Sequence, residues 1–118
     1  MSGKKVVVVE DDLTMVNLLK TLLKMEGFEV VALDADSDVV KAVSSNCPDV
    51  LLLDVHLVHQ NGLDILDSMR RSDQPCKARI VMISGLNLRE ECMKRGADGF
   101  LLKPFMPDDL IRMLKGQA

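Results

Sequence analysis

The chain has 118 residues, 15 basic against 18 acidic, for a net charge of −3, and no basic tract longer than a pair. That length fits one domain burying roughly two-thirds of its unfolded surface, so folding needs neither a disulfide staple nor a structural metal. The lack of a cationic footprint, with three Phe and no Trp or Tyr, argues against nucleic-acid binding by this domain alone.

The three cysteines, Cys47, Cys76 and Cys92, show no CxxC or zinc spacing and read as separate reduced thiols. Met1 leads to Lys4 and Lys5 without a signal-peptide-like apolar stretch, and no apolar run is long enough to span a bilayer. A cytoplasmic, membrane-free protein is expected. Neither internal repeats nor linkers interrupt the chain, so 1–118 reads as a single domain.

In chain order, Val6 to Val9 is a β-branched strand running into Glu10-Asp11-Asp12. Met15, Val16, Leu18, Leu19, Leu22, Leu23 and Met25 then recur at helical spacing, and Gly27 stands where a left-handed C-cap residue belongs. Phe28 to Leu33 reads as a second strand. Asp36 or Ser37 is expected to cap a helix through about Asn46, ended by Pro48. Val50 to Leu53 is a third strand, stopping at Asp54, and Asn61-Gly62 precedes a helix carrying Leu63, Ile65, Leu66 and Met69. Arg79 to Ile83 is a fourth strand ending at Ser84-Gly85. A short helix from Arg89 to Arg95 stops at Gly96, and Gly99 to Leu102 is a fifth strand ending at Lys103-Pro104. Pro107 suits the first turn of a last helix reaching about Lys115. Five β-α units with continuously apolar strands predict an α/β fold: a doubly wound parallel sheet with helices on both faces.

Open parallel sheets bind ligands beyond the carboxyl ends of their strands. Those ends carry Glu10 and Asp11, Asp54, Ser84 and Lys103. Singly, each has a plain structural role: a solvated helix start, a turn residue, a strand exit, a surface lysine. Together, three carboxylates, a hydroxyl and an ammonium on one rim are not what packing asks for. Two carboxylates about 4 Å apart repel by roughly 4 kcal/mol at an effective dielectric of about 20. A divalent cation relieves that repulsion, and hard oxygen ligands select Mg²⁺ or Mn²⁺. A carboxylate on such a metal can attack phosphorus, with Lys103 and Ser84 holding the phosphoryl oxygens. No Gly-rich loop follows the first strand, against a dinucleotide fold or a P-loop.

In VVVVEDD at 6–12, LLLDVHL at 51–57, NGLDIL at 61–66, VMISG at 81–85 and GADGFLLKPF at 96–105 the chain resembles the receiver domains of two-component response regulators. The resemblance implies a flavodoxin-like, chemotaxis-regulator-like strand order of 2-1-3-4-5. It implies Asp54 as phosphoacceptor and Glu10 and Asp11 as the acidic pair. Asp11, Asp54 and the His56 backbone carbonyl would ligate Mg²⁺. Ser84 and Phe100 match the switch hydroxyl and switch aromatic, with Phe100 turning inward on activation, and the bond from Lys103 to Pro104 is expected to be cis. The implied activity is phosphoryl transfer from a phosphohistidine on a sensor histidine kinase or phosphotransfer protein, followed by autodephosphorylation. The signal would be a population shift on the face of the fourth helix, fifth strand and fifth helix, read by a downstream target or fused output domain.

Departures from the family pattern carry their own expectations. Val58 replaces the usual proline and predicts a looser loop, and Gly85 replaces a commoner alanine and predicts wider access. His56, two residues past the acceptor, is expected to modulate hydrolysis, against the alternative of an idle imidazole; with His59 it lacks a third partner for a metal pair. The stretch between Ser84 and Gly96 is about one helical turn short, which puts dimerisation through that face in question. Rival readings are a haloacid-dehalogenase-type phosphatase, which needs a DxD motif after the first strand, and a phosphorylation-independent interaction module. The chain is expected to be either a single-domain regulator or a piece of a longer protein.

Overall fold

The computed structural model describes residues 4–34, 36–74 and 76–116. Strands β1 (Lys5–Val9), β2 (Glu29–Leu33), β3 (Val50–Asp54), β4 (Arg79–Ser84) and β5 (Gly99–Leu102) alternate with helices α1 (Leu13–Met25), α2 (Val39–Asn46), α3 (Gly62–Arg71), α4 (Arg89–Lys94) and α5 (Pro107–Leu114). All strand pairs are parallel, in the order β2-β1-β3-β4-β5. This is the expected flavodoxin-like sheet.

Strand parity divides the core in two, because successive side chains point to opposite faces. Val7, Val9, Leu51, Leu53, Ile80, Met82 and Phe100 face one way, with Val39, Val43, Ile65, Leu66, Met69 and Cys92 from α2, α3 and α4. Val6, Val8, Val50, Leu52, Val81, Ile83 and Leu101 face the other, against Leu19 and Leu23 of α1 and Leu110 and Leu114 of α5. Those four leucines are fully buried, each stabilising the fold by about 2 kcal/mol. Both faces of the sheet are covered, which is why its strands read as unbroken apolar runs.

Helix ends follow local chemistry, with one correction. The Asp12 carboxylate accepts from the Thr14 and Met15 amides at the start of α1, and Gly27 takes φ +87° after its end. The α2 cap is Asp38, whose side chain accepts from the Lys41 amide, and not Asp36 or Ser37. The carboxylate must lie next to the first helical residue to reach a free N–H, and α2 begins only at Val39. Short α4 has no side-chain cap, and Gly96 follows it at φ +99°. Two arginines tie this corner to α3. Arg70 donates to the Gly96 carbonyl at 2.8 Å and to Asp98 at 2.9 Å, and Arg95 spans Asp67 and Glu91 at 2.8 and 2.7 Å.

The cysteines also differ from expectation. Cys47 and Cys76 are bridged, while Cys92 is a free, buried thiol. Cys47 ends α2 in the left-handed conformation, φ 47°, and the chain leaving α3 returns beside it. No spacing motif announces a pair brought together by tertiary structure.

Candidate functional site

The parallel register aligns the carboxyl ends of β1, β3, β4 and β5. Val9 pairs with Leu53, Asp54 with Ile83 and Ser84 with Leu102, so the residues leaving these strands share one rim. Glu10, Asp54 and Ser84 are the buried polar residues among those described. Burial of two carboxylates demands compensation.

Lys103 supplies it. Its ammonium donates to Glu10 Oε1 and to Asp54 Oδ2, both at 2.7 Å. The second Glu10 oxygen accepts from the backbone amides of Asp11 and Asp12, at 2.9 and 3.2 Å. Asp54 Oδ1 accepts from the His56 amide at 2.8 Å. Burial raises the Glu10 carboxyl above the ordinary carboxylate range, against the pull of Lys103, and the Asp54 charge adds to the rise. Burial works to lower Lys103, yet the Asp54 and Glu10 carboxylates outweigh it and hold the ammonium above its usual value. Lys103 directly follows the last residue of β5, and its bond to Pro104 is cis, as expected.

Asp11 differs from its neighbour. Its Oδ2 accepts from the Val58 amide, a donor that a proline at that position would lack. This loop thus bonds to the acidic pair through its own backbone. Asp11 Oδ1 is buried without a hydrogen-bond partner. An orphaned carboxylate oxygen on this rim calls for a cation.

This donor set fits Mg²⁺. Asp11 Oδ1 stands free for direct ligation, whereas both oxygens of Glu10 and both of Asp54 already accept hydrogen bonds and offer a cation only their remaining lone pairs. Among the described residues no three His, Cys, Asp or Glu side chains form a ready-made metal cage. Mg²⁺ seldom uses one, since it keeps several waters and takes few carboxylates.

Ser84 Oγ, fully buried, accepts from the Leu86 amide at 3.0 Å and lies 3.1 Å from His56 Nε2. The imidazole joins the hydroxyl of β4 to the residue whose amide holds Asp54. A side chain on Gly85 would meet nothing within 4 Å, so the space beside Ser84 is open. Phe100 is already inward, 2% exposed, with the Arg89 guanidinium 6.0 Å above its ring. His59 forms no metal group with His56 among the described residues.

Two contributors escaped the sequence reading. Gly62, the first residue of α3, donates its amide to the Val55 carbonyl at 2.8 Å. A Cβ there would stand 2.3 Å from the Asp54 carbonyl oxygen. The Asn61-Gly62 pair at the start of the helix is the available signal: Asn61 caps α3, accepting from the Leu63 amide, and Gly62 makes the close backbone approach. The Val58 amide carried no signal, since any residue but proline supplies it.

Comparison with known proteins agrees with this geometry. Residues 6–115 match the response regulator receiver domain family. Transcriptional regulatory protein CpxR of Klebsiella pneumoniae is 35% identical over 114 residues, covering 94% of this chain and 47% of that protein. DNA-binding response regulator MtrA of Mycobacterium leprae is 27% identical, covering 97% and 51%. The chain thus spans about half the length of these relatives. Among solved structures, the receiver domain of Francisella response regulator 1452 superposes with a TM-score of 0.87 at 25% identity, covering 96% of this chain and 94% of that one. The receiver domain of sensor histidine kinase PA1611 from Pseudomonas aeruginosa PAO1, described with a magnesium ion in its active-site cleft, shares the fold at a TM-score of 0.83 and 24% identity, covering 97% and 96%.

Proposed function

The chain belongs to the response regulator receiver domains of two-component signalling, and on that footing we propose that it takes a phosphoryl group onto Asp54 from a phosphohistidine donor. The observation that carries this reading is the shared ammonium of Lys103, 2.7 Å from both Glu10 and Asp54 on a rim that keeps one Asp11 oxygen unpartnered. Asp11 and Asp54, with the His56 carbonyl, would hold Mg²⁺, and Glu10 would reach it through water; Mn²⁺ has the same ligand preference. The bound cation supplies charge neutralisation to the incoming phosphoryl group.

An Asp54 carboxylate oxygen forms the new bond to phosphorus as the bond from phosphorus to the donor nitrogen breaks, leaving the donor imidazole neutral once it holds its proton. Lys103 follows the charge from the carboxylate to the phosphoryl oxygens. Ser84, whose oxygen already accepts from Leu86, turns its one hydroxyl proton to the same group. With Phe100 already buried under Arg89, the displacement available to the switch is Ser84's exchange of His56 for phosphoryl. The donor is a sensor histidine kinase or phosphotransfer protein, and the reader is a target protein or output domain. The DNA-binding name of one relative belongs to a protein twice this length, and we place no nucleic acid on this domain. No described helix is long and apolar enough to cross a membrane; a cytoplasmic location is part of the proposal.

Intact-mass spectrometry after incubation with acetyl phosphate tests the reading. One phosphoryl mass is expected on the wild type in Mg²⁺, and none without Mg²⁺ or in Asp54→Ala. A gain that survives in Asp54→Ala refutes the assignment, as does no gain in the wild type with either acetyl phosphate or a phosphorylated histidine donor.

His56 is a positioning residue in the same scheme. His56 is exposed, and its ring nitrogen lies 3.1 Å from the hydroxyl that must hold the phosphoryl group. Because Ser84 gives up His56 for the phosphoryl group, His56→Ala is expected to free that hydroxyl and lengthen the phosphoryl half-life about fivefold, the equivalent of one ordinary hydrogen bond of ~1 kcal/mol. An unchanged half-life would return His56 to the role of a solvated side chain.

A further inference from the structure

At the opposite end of the sheet from Asp54, the Cys47–Cys76 pair joins the end of α2 to the segment between α3 and β4. We propose that this pair is a reversible thiol–disulfide site, open in a reducing compartment and closed by oxidation through a low-molecular-weight disulfide of the glutathione class. Four observations support it. The two Cα atoms are 5.3 Å apart, inside the range a disulfide spans without backbone movement. Cys47 is exposed and Cys76 half-buried, so a small thiol or disulfide can reach the pair. The Ser44 carbonyl lies 3.7 Å from the bridged Cys47 sulfur, within reach of the S–H that reduction would create. Cys92 is fully buried, and burial pushes its thiol up, which keeps it out of the exchange.

The chemistry balances in two exchanges. One cysteine thiolate attacks a sulfur of the oxidised small disulfide, forming a mixed disulfide and releasing one small thiolate. The second cysteine thiolate then attacks the mixed sulfur, forming the Cys47–Cys76 bond and releasing the second. The protons lost by the two cysteines end on the two small thiols. Two electrons pass from the protein to the oxidant.

Closure places β3, with Asp54 at its end, and α3 inside a covalent ring running from residue 47 to residue 76. The oxidised domain is expected to melt roughly 10 °C above the reduced one, because the ring restricts the unfolded chain. The redox role rests on the cytoplasmic location proposed above, since in such a compartment a disulfide is transient and responsive more often than permanent.

The test equilibrates the purified protein across glutathione redox ratios, quenches with acid, alkylates in denaturant and counts free thiols by intact mass. The wild type is expected to pass reversibly from three free thiols to one, with Cys92 the survivor by peptide mapping, and its Tm to rise in step. Cys76→Ser is expected to form no internal bond and show no comparable rise in Tm, gaining at most one small-thiol adduct on Cys47 at the oxidising ratios. Three overturning results are distinct: three free thiols at every ratio, a bond that persists at the most reducing ratio, or a bond to Cys92 or between molecules. Repeating the count on Asp54→Ala separates this proposal from the phosphoacceptor reading, because thiol exchange at the far end of the sheet does not need that carboxylate.

Discussion

Lys103→Met is expected to unfold at a lower urea concentration than the wild type in metal-free buffer, by roughly 2–4 kcal/mol, and to recover part of that loss in Mg²⁺. Side chains of Glu10 and Asp54 are 3% and 4% exposed, and the Lys103 ammonium stands 2.7 Å from each. Removing it leaves two buried carboxylates facing one another. Breaking a buried ion pair from one side costs about 3–5 kcal/mol, and the loss here falls at the lower end because Glu10, already raised by burial, can take up a proton. Methionine keeps most of the lysine's apolar stem, so the measured difference reports charge more than packing. A cation binding the more negative rim stabilises the variant by mass action, by more than it stabilises the wild type. Urea curves with and without Mg²⁺ read both quantities. Equal midpoints in metal-free buffer would remove Lys103 as the compensating charge, and a deficit that Mg²⁺ leaves untouched would separate the lysine from the cation site.

Gly62→Ala is the second large effect. The new methyl would meet the Asp54 carbonyl oxygen at 2.3 Å, the Val55 Cα at 2.7 Å and the Asp54 carbonyl carbon at 3.0 Å. All three atoms belong to the backbone that presents the acceptor, so no flexible side chain can move aside. The start of α3 must lift from the end of β3, stretching the bond from the Gly62 amide to the Val55 carbonyl. Overpacking with a damaged buried hydrogen bond costs about 2–4 kcal/mol. Displacement of Asp54 should also slow its reaction with acetyl phosphate in the fraction that remains folded. Gly85→Ala is the matched control for stability, since a Cβ there meets nothing within 4 Å. Thermal unfolding is measured on both variants, and phosphorylation rate on Gly62→Ala against the wild type. If Gly62→Ala melts like Gly85→Ala and reacts like the wild type, the close approach does not position the acceptor.

What could be read from the sequence and what could not divide along a physical line. Residue spacing encodes burial and backbone conformation. The apolar runs at Val6 to Val9 and Val50 to Leu53 therefore announced strands covered on both faces, and Gly27 and Gly96 marked helix ends that need positive φ. Because ligands collect at the carboxyl ends of such strands, Glu10, Asp11, Asp54, Ser84 and Lys103 could be named as a group before any contact was known. Spacing does not encode which atoms meet once strands lie side by side. Tertiary structure alone decided that Lys103 is shared between Glu10 and Asp54, that the Val58 amide, 47 residues from Asp11, secures its carboxylate, and that His56 bonds Ser84 across 28 residues. It also brought Cys47 to Cys76 and left no room for a Cβ at Gly62. Each of these depends on the order and register of strands distant in the chain, and a hydrogen bond or a clash is settled by tenths of an ångström that no pattern of residue types contains.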